Sequence, residues 1–235
     1  MKKILIFTDS RGNHKQTFSN DKIFTEKIYD YCINLGYICK LILCPYPWTT
    51  TFDFIANIEN KNIQIDEYDL IILYVGVVEF SPRPYSNFID IYNNKKLIIE
   101  KLVPTYLINN LINNPYNTIY KNEKTYSLIS INIFEKIIIP YLQKFNEKLI
   151  YINTNNIVEN WEGNYLLVNK LGRPKNINII SEYSKLTINK FDNIINLLEW
   201  NDNDIQKYTV DNMHLTYEGS EWIYNKIIER INSMK

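Results

Sequence analysis

Apolar and polar positions fall into blocks whose lengths alternate between those of buried strands and those of amphipathic helices. Lys3 to Phe7 is a short apolar run ending at Thr8-Asp9-Ser10, and a polar, glycine-containing turn, Arg11-Gly12-Asn13, follows it. Asn20 or Asp21 is placed to cap a helix in which Phe24, Ile28, Tyr31 and Leu35 recur at helical spacing, with Gly36 as its stop. Ile38 to Cys44 reads as a second strand, Pro45 to Thr51 as a loop, and Asp53 to Ile58 as a short helix. Asp69 to Val75 is a third strand, apolar almost throughout, as expected when helices cover both faces of a parallel sheet.

From Ser81 to about Thr125 the pattern degrades, punctuated by Pro82, Pro84, Pro104 and Pro115. Lys95 to Ile112 reads as a helix interrupted at Pro104, and the stretch is expected to be an insertion at about 81–125 within a single domain of residues 1–235. Asn132 to Asn146 is predicted helical with a kink at Pro140, Lys148 to Asn153 is a fourth strand, and Asn155 to Pro174 is mostly loop. Ile180 to Trp200 is predicted as one helix carrying Tyr183, Leu186, Ile194 and Leu198. Thr216 caps a final helix with an Ile223, Ile227, Ile231 stripe. This alternation predicts a doubly wound α/β sheet, which places ligands beyond the carboxyl ends of its strands. Ser10 and Gly76 both lie at such ends.

Composition narrows the function classes. The chain has 235 residues, enough for one α/β domain with a large core. Lys+Arg and Asp+Glu balance at 26 each, so no global basic field points to nucleic acid. The apolar run after Lys2 and Lys3 is too short for a secretory segment, and Leu70 to Val78 is too short to span a bilayer, which predicts an intracellular, cytoplasmic protein. Cys32, Cys39 and Cys44 match no zinc spacing and read as reduced thiols in a helix and a strand.

The chemistry-bearing stretch is Asp211-Asn212-Met213-His214-Leu215-Thr216-Tyr217-Glu218-Gly219. Side chains at i and i+3 share a face of a turn, so Asp211 is placed to accept a hydrogen bond from Nδ1 of His214 and leave Nε2 as a general base. The candidate hydroxyl is Ser10. His14 reads as a solvated turn residue, and Asp9 as an organiser of the turn around Ser10. Tyr46, Trp48, Phe80 and Tyr85, near strand ends, are either a sugar-stacking wall or ordinary packing.

Strand-Thr-Asp-Ser at the start, Gly76-Val77-Val78-Glu79 after the third strand, and Asp-x-x-His-Leu-Thr-x-Glu-Gly before a terminal helix resemble, in order and spacing, the SGNH/GDSL hydrolase superfamily. The resemblance covers residues 3 to 232. It implies a flavodoxin-like three-layer α/β/α sandwich with a mostly parallel central sheet, Ser10 as nucleophile, and Asp211 and His214 as its triad partners. It also implies a serine esterase needing no metal or organic cofactor and acting on small acyl esters. A branch associated with surface-polysaccharide loci is similar in its Gly-Ile-Val-Asp…Pro-Arg string, which makes O-acetyl esters of carbohydrate the expected substrate.

The departures from the family pattern concern the oxyanion. The asparagine of Gly-x-Asn-Asp is Val78 here, and Trp48-Thr49-Thr50-Thr51 stands where a glycine donor is expected. A lost donor of this kind removes about 3 kcal/mol of transition-state stabilisation. Main-chain N–H groups at Trp48 or Thr49 can substitute, and Arg83, between two prolines, is a charged candidate; otherwise Arg83 is a surface arginine paired with Glu79. Gly76, Glu79 and Arg83 are therefore the further oxyanion or substrate-binding candidates. Two alternatives keep the fold: an O-acyltransferase handing the acyl group to a sugar hydroxyl, and a catalytically silent domain that binds a glycan or a protein.

Overall fold

The apolar runs assemble into one parallel sheet with helices on both sides. The computed structural model describes residues 1–13 and 22–234. In its first third, β1 (Lys3–Thr8), α1 (Phe24–Asn34), β2 (Ile38–Leu43), α2 (Thr51–Glu59) and β3 (Leu70–Tyr74) form two consecutive βαβ units. The short α3 (Val77–Phe80) follows, then β4 (Arg83–Pro84), α4 (Tyr85–Leu102), α5 (Thr105–Asn113), β5 (Tyr116–Tyr120) and β6 (Glu123–Tyr126). The chain continues through α6 (Ile131–Ile133), a π-turn at Phe134–Ile138, α7 (Ile139–Gln143), β7 (Leu149–Ile152), α8 (Tyr165–Val168), α9 (Ile179–Thr187), β8 (Asn193–Ile195), α10 (Asp202–Tyr208) and α11 (Tyr217–Ser233).

The main sheet has the order β2-β1-β3-β7-β8, parallel throughout. Counting only these strands, that is the flavodoxin-like order 2-1-3-4-5, whose direction of winding reverses between the first and third strands. Alternate side chains feed two cores. Leu5, Phe7, Ile71 and Leu73 face the side covered by α2, α4 and the 131–143 helix; Ile4, Ile6, Ile72 and Tyr74 face the side covered by α1 and α11. β3 is buried along its whole length, which explains why it shows no polar alternation. Truncating a fully buried ring such as Phe7 would cost about 3–5 kcal/mol.

Several expectations need correction. The cap at Asn20 or Asp21 lies outside the described residues, as does His14; α1 starts at Phe24 after Ile23, where the Ile23 N–H donates to Glu26 Oε2 at 3.0 Å. Cys44 is not in β2 but follows it in a loop with φ 46°. Helix α4 begins at Tyr85, ten residues before the predicted start, although the break at Pro104 is where expected. Ile180 to Trp200 is not one helix: α9 stops at Thr187, and Asn193–Ile195 is the edge strand β8. At Pro140 the missing N–H is accommodated by the preceding π-turn, in which Ile139 N–H reaches Phe134 O. The 81–125 stretch builds a small antiparallel sheet, β4-β6-β5, with α4 running between it and α2. No described helix is long and apolar enough to cross a membrane.

Candidate active site

The winding reversal leaves a crevice beyond the ends of β1 and β3, and both ends are locked together there. Asp9 N–H donates to Tyr74 O at 2.9 Å. The Asp9 carboxylate accepts from Arg11 N at 3.0 Å and from Arg11 Nη2 at 2.8 Å, both side chains being fully buried. Burial works against the Arg11 charge, but Asp9 outweighs it and holds the guanidinium above its ordinary value. The Arg11 guanidinium lies over the Tyr74 ring, 3.9 Å from its centroid. Asp9 is thus the turn organiser expected of it, and the turn holds Ser10 half-buried at the crevice. Among the described residues no acceptor takes the Ser10 N–H.

Ser10 Oγ lies 3.3 Å from His214 Nε2, and His214 Nδ1 lies 2.9 Å from Asp211 Oδ2. The other carboxylate oxygen of Asp211 accepts from the backbone N–H of His214 at 2.7 Å and of Met213 at 3.1 Å, so the i to i+3 spacing is closed by both main chain and side chain. Burial would raise the Asp211 pKa. The hydrogen bonds from His214, then the charge of Arg173, reverse that and hold it well below the usual carboxylate range. An ionised Asp211 only accepts, so Nδ1 carries the proton and Nε2 faces the serine hydroxyl as an acceptor.

Three features absent from the sequence reading hold this turn. Arg173 Nη2 is 3.2 Å from Asp211 Oδ2, while its Nη1 donates to Glu162 Oε2 at 2.8 Å. Asn212 takes the left-handed conformation, φ 68°, which Asn tolerates better than most residues. Its Oδ1 accepts from Val158 N at 2.8 Å, and its carbonyl from Asn155 Nδ2 at 2.8 Å, so the 155–162 loop clamps the turn. Thr216 then caps α11 through Gly219 N–H at 3.1 Å. A Cβ at Gly219 would lie 2.1 Å from Tyr208 O, which restricts that position to glycine.

The wall opposite His214 comes from the ends of β2 and β3. Trp48 has φ 59° and is 42% exposed; Thr49 is buried, and its Oγ1 donates to Tyr46 O at 2.7 Å. Val77 and Val78 line the cavity with apolar side chains. Gly76 and Glu79 stand behind that wall. Gly76 has φ 125°, and a Cβ there would lie 2.6 Å from the Phe80 ring. Glu79 is buried, with Oε1 accepting from Thr51 N at 2.9 Å and from the Thr51 hydroxyl, and with Oε2 unpartnered among the described residues. Burial pushes its pKa up to about 7 against the opposing Thr51 bonds.

Arg83 is not the partner of Glu79. Its guanidinium lies over the Trp48 ring at 4.6 Å from the centroid, its Nε donates to Val78 O at 3.4 Å, and desolvation pushes its pKa down to about 10. The expected aromatic cluster is divided. Phe80 stacks on Tyr183 in the core at 4.4 Å, and Tyr85 packs at 5.4 Å from Tyr126; Trp48 lines the cavity. The cavity measures about 640 Å³, with Ser10 and His214 on one side and Trp48, Val78 and Arg83 on the other.

No protein-family model and no curated protein matches the chain. Solved structures do match its fold. One is a lipase/acylhydrolase from Enterococcus faecalis, 15% identical, with a TM-score of 0.55 over 99% of this chain and 96% of that one. Another is the acetyl xylan esterase AlAXEase, 14% identical, with a TM-score of 0.53 over 97% of this chain and 99% of that one. The esterase EstA from Pseudoalteromonas sp., solved inhibited by monoethylphosphonate, is 9% identical, with a TM-score of 0.50 over 99% of this chain and 98% of that one. The chain shares its fold with these esterases and with a GDSL-like protein from Parabacteroides merdae. Within this shared fold the chain has Val78 where the resemblance implied a side-chain amide donor, and two arginines, Arg83 and Arg173, beside the crevice.

Proposed function

We propose that the protein is a serine esterase that removes small acyl groups, O-acetyl above all, from carbohydrate through Ser10, His214 and Asp211. The observation that carries this is the chain of contacts from Ser10 Oγ to His214 Nε2 and from His214 Nδ1 to Asp211 Oδ2, opening on a cavity. The 3.3 Å first contact is longer than a strong hydrogen bond, as ligand-free nucleophile–base pairs often are. The acetyl xylan esterase among the structures of like fold supports the choice of acyl group and alcohol.

In this mechanism Ser10 Oγ bonds to the ester carbonyl carbon as its proton passes to His214 Nε2. Asp211 keeps the ring oriented and stabilises its charged form. Collapse of the tetrahedral adduct breaks the bond to the alcohol oxygen, which leaves with the proton from Nε2. Water then gives a proton to Nε2 as it attacks the acyl carbon, and collapse of this second adduct breaks the bond to Ser10 Oγ, which takes the proton back from Nε2 as the acid leaves. The developing oxyanion is served by the Ser10 N–H and by main-chain N–H groups of the Trp48–Thr49 loop. Arg83 is assigned to the substrate side of the cavity.

The test is hydrolysis of 4-nitrophenyl acetate and of O-acetylated oligosaccharides by the native protein and by Ser10→Ala. The expected loss of kcat is about 10⁴-fold or more. Equal rates in the two proteins would remove Ser10 from the chemistry, and no hydrolysis above background in either would leave a binding domain. Acetyl transfer to an added sugar, in place of acetate release, would make the protein an acyltransferase using the same residues.

A further inference from the structure

The four arginines of the chain are settled in different ways. Arg11 is buried against Asp9 at 2.8 Å, and Arg173 is buried against Glu162 and Asp211 at 2.8 and 3.2 Å. Arg230 is exposed to water near the end of α11. Among the described residues Arg83 makes no ion pair, and it lacks full hydration: it is half-buried, stacked on Trp48, and its one hydrogen bond there goes to the Val78 carbonyl, while buried Glu79 acts on it only at a distance. A desolvated cation without a paired counter-ion is unfavourable, and burial pushes its pKa down to about 10 despite the opposing influence of Tyr165 and Glu79. Its backbone is no loose surface loop. Pro82 and Pro84 flank it, and Arg83 pairs with Tyr126 in the small sheet.

The cavity repeats the asymmetry on a larger scale. Arg83, Lys121 and Arg173 line it, and none of its lining residues among the described ones is an aspartate or a glutamate. Arg173 is neutralised from behind by Glu162 and Asp211. Lys121, exposed at the turn between β5 and β6, has no carboxylate partner among the described residues and lies 5.6 Å from the Tyr120 ring centroid. The chain as a whole carries formal charge +0, so the excess is local to this wall. A concave, low-dielectric wall with two unneutralised cations concentrates anions.

We propose that the cavity is built for an anionic ester, in which the sugar bearing the acyl group also carries a carboxylate or phosphate that pairs with Arg83 while Lys121 adds attraction from the rim. The turnover of such a ligand rests on the esterase reading; the anion subsite itself does not. The planar guanidinium fork suits either anion, and its geometry on a carboxylate is bidentate.

Matched acetyl esters decide this: an O-acetylated methyl hexoside, the corresponding hexuronide, and the corresponding sugar phosphate. The native protein is expected to favour one or both anionic esters by roughly ten- to a hundredfold in kcat/KM, mostly through KM, with the preference shrinking as salt rises. The uronide and phosphate arms show which anion the site prefers. Arg83→Gln should bring the ratio close to one, Arg83→Lys should restore part of it, and Lys121→Gln should lower it less; thermal melts verify that each variant is folded. Equal kcat/KM on charged and neutral esters, or a preference that survives Arg83→Gln, would overturn the proposal. So would an equal fall in kcat on both, since that would make Arg83 an oxyanion donor. Calorimetric titration of Ser10→Ala with unacylated hexuronide, sugar phosphate and hexose reads the subsite without chemistry. Anion binding that Arg83→Gln abolishes, in a protein that hydrolyses no ester, would end the esterase reading and leave the subsite standing. No anion binding would end the subsite.

Discussion

Asp211 and Glu79 are buried carboxylates on opposite sides of the same crevice, and their surroundings drive them to opposite charge states. Asp211 receives the His214 ring, two backbone N–H groups and the Arg173 guanidinium, and stays ionised far below ordinary pH. Glu79 receives one backbone N–H and one hydroxyl, both from Thr51 and both on Oε1, while Oε2 has no partner among the described residues. With its pKa near 7 it is largely protonated in mildly acidic solution. Burial is equal in kind at the two sites; the number and charge of the donors decides. In the proposed mechanism the charged carboxylate orients the base, and the neutral one ties the start of α2 to α3.

The largest effect that can break this contrast is Asp211→Asn. An amide cannot hold the imidazole in the required tautomer, so kcat should fall about 10⁴-fold while the fold survives; steady-state kinetics with a thermal melt checks both. Next is Arg173→Gln, which strips the cation from Asp211 and Glu162. Breaking a buried pair on one side should lower stability by about 3 kcal/mol in urea denaturation. It should also move acid unfolding to higher pH, because Asp211 loses one of the charges that hold its pKa down.

The smallest effect concerns Glu79. Its folded pKa of about 7 lies above the ordinary carboxylate value of 4.5, so its contribution to stability is fully present below 4.5 and lost as pH rises through 7. The span corresponds to about 3 kcal/mol at most. Asp211 has the opposite sign: its contribution is present above the ordinary carboxylate range and lost as pH falls through its depressed value. Melting temperature should therefore decline between pH 5 and pH 8, and Glu79→Gln should flatten that slope. A slope unchanged in Glu79→Gln would assign the titration to another group.

What was legible in the sequence is what local chemistry determines. β1, β2, β3 and β7 announce themselves as short apolar runs, and the Asp211 to His214 spacing closes on itself within one turn. The edge strand β8 was hidden because Ile194, Ile195, Leu197 and Leu198 form a short apolar run that fits a helix stripe as well as a strand. Arg173 was hidden because its partner Asp211 is far along the chain, and a lone Arg in a polar loop carries no mark of burial. Glu79 and Arg83, neighbours in sequence, read naturally as an ion pair. The turn of α3 and the rigid Pro82 and Pro84 separate them, one into the core with Thr51 and one onto Trp48.

The central claim is that Ser10 is an activated nucleophile served by His214 and Asp211. Intact-mass measurement after treatment with a fluorophosphonate tests it most directly. The expected result is one covalent adduct, mapped by peptide sequencing to Ser10, absent in Ser10→Ala and greatly slowed in His214→Ala. An unmodified native protein, under conditions that label a known serine esterase, or an adduct at any other residue, would contradict it.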